Sequence, residues 1–140
     1  GTPAGYEPES EFVELARSAG SKVTLTNDAG EAARGADVIV TDTWVSMGQD
    51  HAEAKLAAMA PFQVDADLMA LAKQDAKFLH CLPSFHNRET QIGEEIYQKF
   101  GLEAMEVSEE VFESEHSIVF DEAENRMHTI KAILVATLGG

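Results

Sequence analysis

The sequence predicts an α/β fold with a doubly wound, mainly parallel sheet. Short apolar strand candidates alternate with helix candidates over short loops, and Asp37 to Asp42 is a near-continuous apolar run of the kind buried on both faces of a parallel sheet. Parallel neighbours need a crossover, and helices supply it while covering the sheet. A chain of 140 residues, 44% of them hydrophobic, lies in the single-domain range and can bury a sizeable core without disulfides or a structural metal.

The elements follow in order. Pro8 stands where a first helical residue belongs, with Glu9 and Glu11 in the first turn, Phe12, Leu15, Ala16 and Ala19 at helical spacing and Gly20 as the stop, which predicts an amphipathic helix. Lys22 to Thr26 reads as a short strand. Asp28 and Glu31 have capping-box spacing, and Gly35 closes the short helix they begin. After the Asp37 to Asp42 strand, Asp50 and Glu53 are placed to cap a helix through Met59 that Pro61 ends, and Asp65 to cap another through Lys73. Lys77 to Leu82 is the next strand, stopped by Pro83. Ile92, Ile96 and Phe100 mark one face of a helix ended by Gly101, and Ala104 to Val107 is a weaker strand candidate. The longest helix runs from about Glu122 to Leu138, with Met127, Ile130, Leu134 and Leu138 on one stripe.

Composition narrows the function. With 25 Asp and Glu against 10 Lys and Arg, the chain is a poor partner for DNA or RNA. No apolar run approaches the roughly 20 residues that span a bilayer, so no membrane association is expected. The lone Cys81 cannot form an internal disulfide, which fits a reducing compartment, the cytoplasm. The opening Gly1 to Gly5 is loop material without a preceding cap or initiating Met, as expected of a chain cut from something longer.

In open parallel sheets ligands bind beyond the carboxyl ends of the strands, which directs attention to Asp42 to Gly48 and His80 to His86. Asp42 and the loop after it combine a carboxylate, hydroxyls and backbone amides, a set able to hold an ammonium and a carboxylate. The same loop can equally be a helix approach in which Asp42 caps its own turn and Trp44 is core. His80 and Cys81 are adjacent, so in a strand they face opposite ways. Cys81 is either a small buried hydrophobe or a site thiol. A zinc site from His80, Cys81 and His86 has irregular spacing and no second ligand pair. His51, His116 and His128 are scattered and read as surface or helix-face residues. Arg126 can pair with Glu122, Glu124 and Asn125 or point at an anion. The acidic stretches Glu7 to Glu14 and Ser108 to Glu115 read as solvated helix faces.

Three blocks, Asp42-Thr43-Trp44-Val45-Ser46-Met47-Gly48, His80-Cys81-Leu82-Pro83-Ser84-Phe85-His86 and Asn125-Arg126-Met127-His128-Thr129-Ile130-Lys131-Ala132, together resemble the second, ornithine-binding domain of the ornithine carbamoyltransferase family. The resemblance runs along essentially the whole chain. It implies a Rossmann-like fold and transfer of the carbamoyl group of carbamoyl phosphate to the δ-amine of L-ornithine, giving L-citrulline and phosphate without a metal or organic cofactor. It further implies that Asp42, Ser46 and Met47 hold the amino-acid end of ornithine, with Asp42 and Ser46 near the α-amine. Cys81 then lies beside the reacting amine as proton acceptor, helped by the Leu82 carbonyl, and Arg126 polarises the carbamoyl oxygen. Cys81, Leu82 and Arg126 thereby also form the carbamoyl phosphate side of the site.

Against the same family, the Ser-Thr-Arg-Thr-Arg phosphate loop and the His-Pro-x-Gln segment of the first domain do not occur in the sequence. The opening strand and helix of the ornithine domain are also missing. Residues 1–140 are therefore expected to form a partial ornithine-binding domain, incomplete by its first strand-helix unit. It would have unpaired strand edges mid-sheet, and its final helix in the family returns to the carbamoyl phosphate domain. The expected partners are ornithine, carbamoyl phosphate, the absent N-terminal domain, and further copies in a trimer or multiple of trimers; the fragment alone is expected to be inactive. Two other readings stay open, a carbamoyltransferase for another amine such as putrescine and a non-catalytic amino-acid-binding or assembly module. A bare nucleotide-binding domain ranks behind them, because no G-x-G-x-x-G occurs.

Overall fold

In a computed structural model of the chain, residues 1–44 and 52–139 are described. The elements run α1 (Ser10–Ser18), α2 (Ala29–Ala33), β1 (Val38–Thr41), α3 (Ala52–Met59), a 3-10 turn (Ala60–Phe62), α4 (Ala66–Met69), β2 (Lys77–His80), α5 (Gln91–Phe100), α6 (Glu109–Phe112) and α7 (Val119–Leu138). The architecture is α/β with a small parallel sheet, as the sequence predicts. β1 and β2 pair in parallel, Val38 with Lys77 through Thr41 with His80. The segment around Ser117 lies along the other edge of β2, where Phe78 N–H donates to the His116 carbonyl at 2.8 Å and Ile118 N–H donates to the Phe78 carbonyl at 3.0 Å.

Local chemistry explains the helix ends. The Asp28 carboxylate accepts from Glu31 N–H, the Asp65 carboxylate from Leu68 N–H, and the Thr90 hydroxyl from Gly93 N–H, each satisfying an amide that a helix N-terminus leaves unpaired. The capping box at α2 is only half made, because Glu31 accepts from the Thr26 hydroxyl instead of turning back to Asp28 N–H. Gly101 stops α5 at φ +70°, a conformation that favours glycine.

The core has two clusters. One packs Phe78 of β2 against Val64, Val107, Val111, Phe112 and Val119, with Ile39, Leu68 and Met69 at its margin. The other gathers Trp44, Leu56 and Met105, flanked by Met59, Phe85, Ile96 and Phe100. Phe112 lies edge-on to Phe120 and is stacked on its other side by His86, whose ring centroid is 3.6 Å away.

Several expectations need correction. Lys22 to Thr26 joins no β ladder among the described residues; the Val23 and Thr26 carbonyls accept single hydrogen bonds, from the Arg17 guanidinium and from Thr2 N–H, and isolated bonds of this kind do not make a strand. Ala104 to Val107 makes a single parallel bridge, Val107 with Val64, instead of a strand. β1 is not buried on both faces: Val38 and Val40 are 47% and 66% exposed. β1's edge away from β2 is unpaired among the described residues and borders a cleft of about 480 Å³ reaching from Pro3 and Ala33 to Asp42 and Trp44. In α1 the buried residue is Val13, while Phe12 and Leu15 face outward because nothing described packs on their side. α1 begins at Ser10 and α4 ends at Met69, both shorter than expected, whereas α7 begins at Val119, earlier than expected, and its apolar stripe is exposed. The proposed cap Asp50 falls outside the described residues.

Candidate functional site

The parallel register of β1 and β2 sets the site. Thr41 lies opposite His80, so the next residues, Asp42 and Cys81, leave adjacent strand ends side by side. The Cys81 thiol donates to Asp42 Oδ1 at 2.9 Å, and Thr43 N–H donates to the same oxygen at 2.6 Å. Asp42 bonds within its own turn and Trp44 is core, as the helix-approach reading has it, and Asp42 also lines the cleft beside β1, next to an exposed thiol.

The contact polarises both groups. Hydrogen bonds from the Cys81 thiol and then Thr43 N–H hold the Asp42 carboxyl below the usual carboxylate range, outweighing partial burial. The hydrogen bond to Asp42 pushes the Cys81 thiol up, reinforced by partial burial and by Asp42's negative charge, while the Thr43 amide works in the opposite direction. At neutral pH the site therefore offers a fixed anion at Asp42 and a protonated thiol at Cys81.

Behind this pair the two loops converge on a residue the sequence reading missed. Glu106 is fully buried; its Oε1 accepts from Trp44 N–H at 3.1 Å and its Oε2 from Phe85 N–H at 3.3 Å. His80, also fully buried, turns Nε2 toward Glu106 Oε2 at 3.9 Å and sets Nδ1 against the Cys81 carbonyl oxygen, so His80 and Cys81 do face opposite ways. The signal available in the sequence was a lone charge inside the apolar run Ala104-Met105-Glu106-Val107.

The remaining candidates divide. Leu82 follows Cys81 and is 41% exposed, and the Leu82–Pro83 peptide bond is cis. Arg126 is exposed on α7, and its guanidinium makes no ion pair or hydrogen bond with any described residue, so the local pairing with Glu122 or Glu124 is not formed. The structure does not bring it into contact with Asp42 or Cys81. α7 nevertheless starts alongside β2, where Leu79, Ile118, Glu122 and Asn125 line a shallow pocket. Ser46 and Met47 lie outside the described residues. His86 packs on Phe112, with Glu109 and Glu113 each 3.9 Å away, and so stands apart from His80. His116 is half-buried, its Nδ1 bonded to the Ala76 carbonyl oxygen at 2.9 Å, and His128 is exposed.

A carboxylate and a thiol at the carboxyl ends of neighbouring parallel strands invite comparison with known amino-acid-binding domains. The Asp/Orn binding domain of aspartate/ornithine carbamoyltransferases matches residues 1–137. The chain belongs to that family. Among solved structures, the ornithine carbamoyltransferase of Pyrococcus furiosus superposes with a TM-score of 0.79 at 38% identity, over 99% of this chain and 40% of the other. The anabolic enzyme of Campylobacter jejuni gives 0.74 at 36% identity, over 94% and 40%. The mitochondrial enzyme of Coccidioides immitis gives 0.70 at 38%, over 96% and 38%. The chain thus spans about 40% of the length of the carbamoyltransferases it resembles.

Proposed function

We propose that this carbamoyltransferase domain supplies the ornithine side of an enzyme that transfers the carbamoyl group of carbamoyl phosphate to the δ-amine of L-ornithine, forming L-citrulline and phosphate. The observation that carries the amino-acid-binding reading is the Asp42 carboxylate, held ionised at the strand ends with the Cys81 thiol against it. A fixed anion attracts the α-ammonium of an amino-acid substrate. The choice of ornithine over aspartate is supported by the solved structures of similar fold and sequence, which are ornithine carbamoyltransferases.

In this reading Asp42 accepts hydrogen bonds from the α-ammonium of ornithine, with Ser46 and Met47 completing the grip on the amino-acid end. The δ-amine must lose a proton to attack, so a group beside it has to accept one. In the free site Cys81 cannot do so, because it still carries its own proton, which it donates to Asp42. An ammonium bound at Asp42 neutralises the anion that raises the thiol and competes for its acceptor, so Cys81 can release its own proton to solvent and, as the thiolate, accept one from the δ-amine. The Leu82 carbonyl assists at the amine, and the Arg126 guanidinium, which pairs with no described residue, stabilises charge growing on the carbamoyl oxygen. The partners are then both substrates, a phosphate-binding N-terminal domain that also covers the exposed apolar stripe of α7, and further copies in a trimer or multiple of trimers. The lone Cys81 supports a reducing, cytoplasmic setting.

The test is citrulline formation from carbamoyl phosphate and ornithine by the chain alone and by the chain mixed with the N-terminal half of a similar ornithine carbamoyltransferase. Activity only in the mixture is expected, with putrescine and aspartate inert in place of ornithine. Halves that associate and still form no citrulline overturn the assignment.

A further inference from the structure

We propose that Glu106 is a positioning residue of this site: its buried carboxylate ties together the loops that carry Asp42 and Cys81 and so sets their approach. The kinetic consequence rests on the ornithine reading above; the geometric one does not. Taking a carboxylate out of water is costly unless its oxygens are paired, and a residue with 0% exposure inside an apolar cluster has to be paired by something specific. The partners of Glu106 are the Trp44 amide, just past Asp42, and the Phe85 amide, just past Cys81 and Leu82. His80, which faces Oε2 from the end of β2, holds the Cys81 carbonyl with its other ring nitrogen. A single side chain thus holds the backbone on the far side of both site residues and comes within 3.9 Å of the imidazole immediately before one of them, without a hydrogen bond to it.

Glu106 itself does not float. Its carbonyl accepts from Val64 N–H at 2.9 Å, and the Val64 carbonyl accepts from Ser108 N–H at 3.0 Å. Gln63 Nε2 donates to the Ala104 carbonyl at 3.2 Å and the Met105 carbonyl at 2.7 Å, and Met105 N–H donates to the Phe85 carbonyl at 2.8 Å. The carboxylate is therefore a bracket standing on a fixed backbone. An ionised carboxylate is acceptor-only and can serve two N–H groups at once, whereas glutamine would turn an NH₂ group toward one of them. Glu106→Gln thus keeps the volume and removes the double acceptor.

The experiment follows Cys81 as a reporter. Alkylation of Cys81 by iodoacetamide is measured against pH by mass spectrometry in the unsubstituted chain and in Glu106→Gln. In parallel, kcat and both KM values are measured for the same substitution in the complete carbamoyltransferase. We expect the thiol titration to fall toward that of an ordinary cysteine as the Asp42 contact loosens. We also expect kcat/KM for ornithine to drop on the order of 10²-fold, the scale of an ångström-sized misplacement, with KM for carbamoyl phosphate unchanged. A role confined to stability would reduce the folded fraction and leave the titration of the folded remainder where it was. A folded variant with an unchanged thiol titration overturns the proposal, as does an unchanged kcat/KM for ornithine. If the variant does not fold, hydrogen exchange of the Trp44 and Phe85 amides in the unsubstituted chain decides: protection of both sustains the bracket, and exchange of either at the rate of an unstructured peptide overturns it. If the unsubstituted complete enzyme forms no citrulline, the ornithine reading fails, and the Cys81 titration still decides the role of Glu106.

Discussion

At the scale of single residues, Asp42 and Cys81 share one hydrogen bond whose strength depends on both protonation states. The folded Asp42 pKa is depressed, so its contribution to stability is full above the unfolded carboxyl value of about 3.9 and is lost as pH falls through the folded value. The folded Cys81 pKa is raised, so its contribution is full below the unfolded thiol value of about 8.5 and is lost as pH rises through the folded value. The pair therefore stabilises the fold across the window between these limits and weakens on either side. Asp42→Asn removes the anion that raises the thiol. Alkylation of Cys81 at pH 8 is then expected to be faster, by about tenfold for each full unit that the thiol pKa falls. An Asp42→Asn chain whose Cys81 alkylates no faster than the original would show that the thiol is raised by something else. Each of the two residues could be singled out from its place at a strand end, but their contact could not. It depends on the register between strands far apart in sequence, which no local pattern encodes. Glu106 was harder still, because its role comes from burial and from two backbone amides on other segments.

Individual elements were legible where local chemistry decides them. Asp28, Asp65, Gly20, Gly35 and Gly101 all act at the helix ends where the sequence put them. Elements that depend on a neighbour were not. Lys22 to Thr26 has strand composition without a ladder, and α1 and α7 carry apolar faces that nothing described covers. α5 allows a test of the first class. Thr90→Ala removes the hydroxyl that accepts from Gly93 N–H at 3.0 Å and should cost about 1 kcal/mol. Gly93→Ala should cost more, on the order of 1–3 kcal/mol. The added Cβ would come within 2.3 Å of the Asn87 carbonyl oxygen, and backbone cannot step aside as a side-chain tip can. Urea melts of the two variants give the order. Alanine at position 93 proving the milder change would mean that the loop before α5 yields more easily than its packing implies.

For the molecule as a whole, two opposing features decide its behaviour in solution. Among the described residues β1 presents an unpaired edge with Val38 and Val40 exposed, and α7 exposes Phe120, Met127, Ile130, Ile133, Leu134, Val135 and Leu138 along its length. Apolar surface of this extent favours association, and an open strand edge offers a template for it. Against this stands a formal net charge of −15 at pH 7, which keeps copies apart by mutual repulsion. Repulsion between solvent-exposed charges is screened over about 10 Å at 0.1 M salt and about 3 Å at 1 M, whereas burial of apolar surface is not weakened by that screening. Salt should therefore shift the balance toward association. Sedimentation velocity on this chain alone is expected to show larger species as salt is raised from 0.05 M to 1 M, with the midpoint of thermal unfolding depending on protein concentration. Addition of the phosphate-binding half should suppress that association by covering α7. A chain that stays monomeric throughout, with a concentration-independent cooperative melt, would mean that the exposed stripe and strand edge are not attractive enough to need a partner. The proposed composite site would then have to form without the hydrophobic gain that α7 is argued to provide.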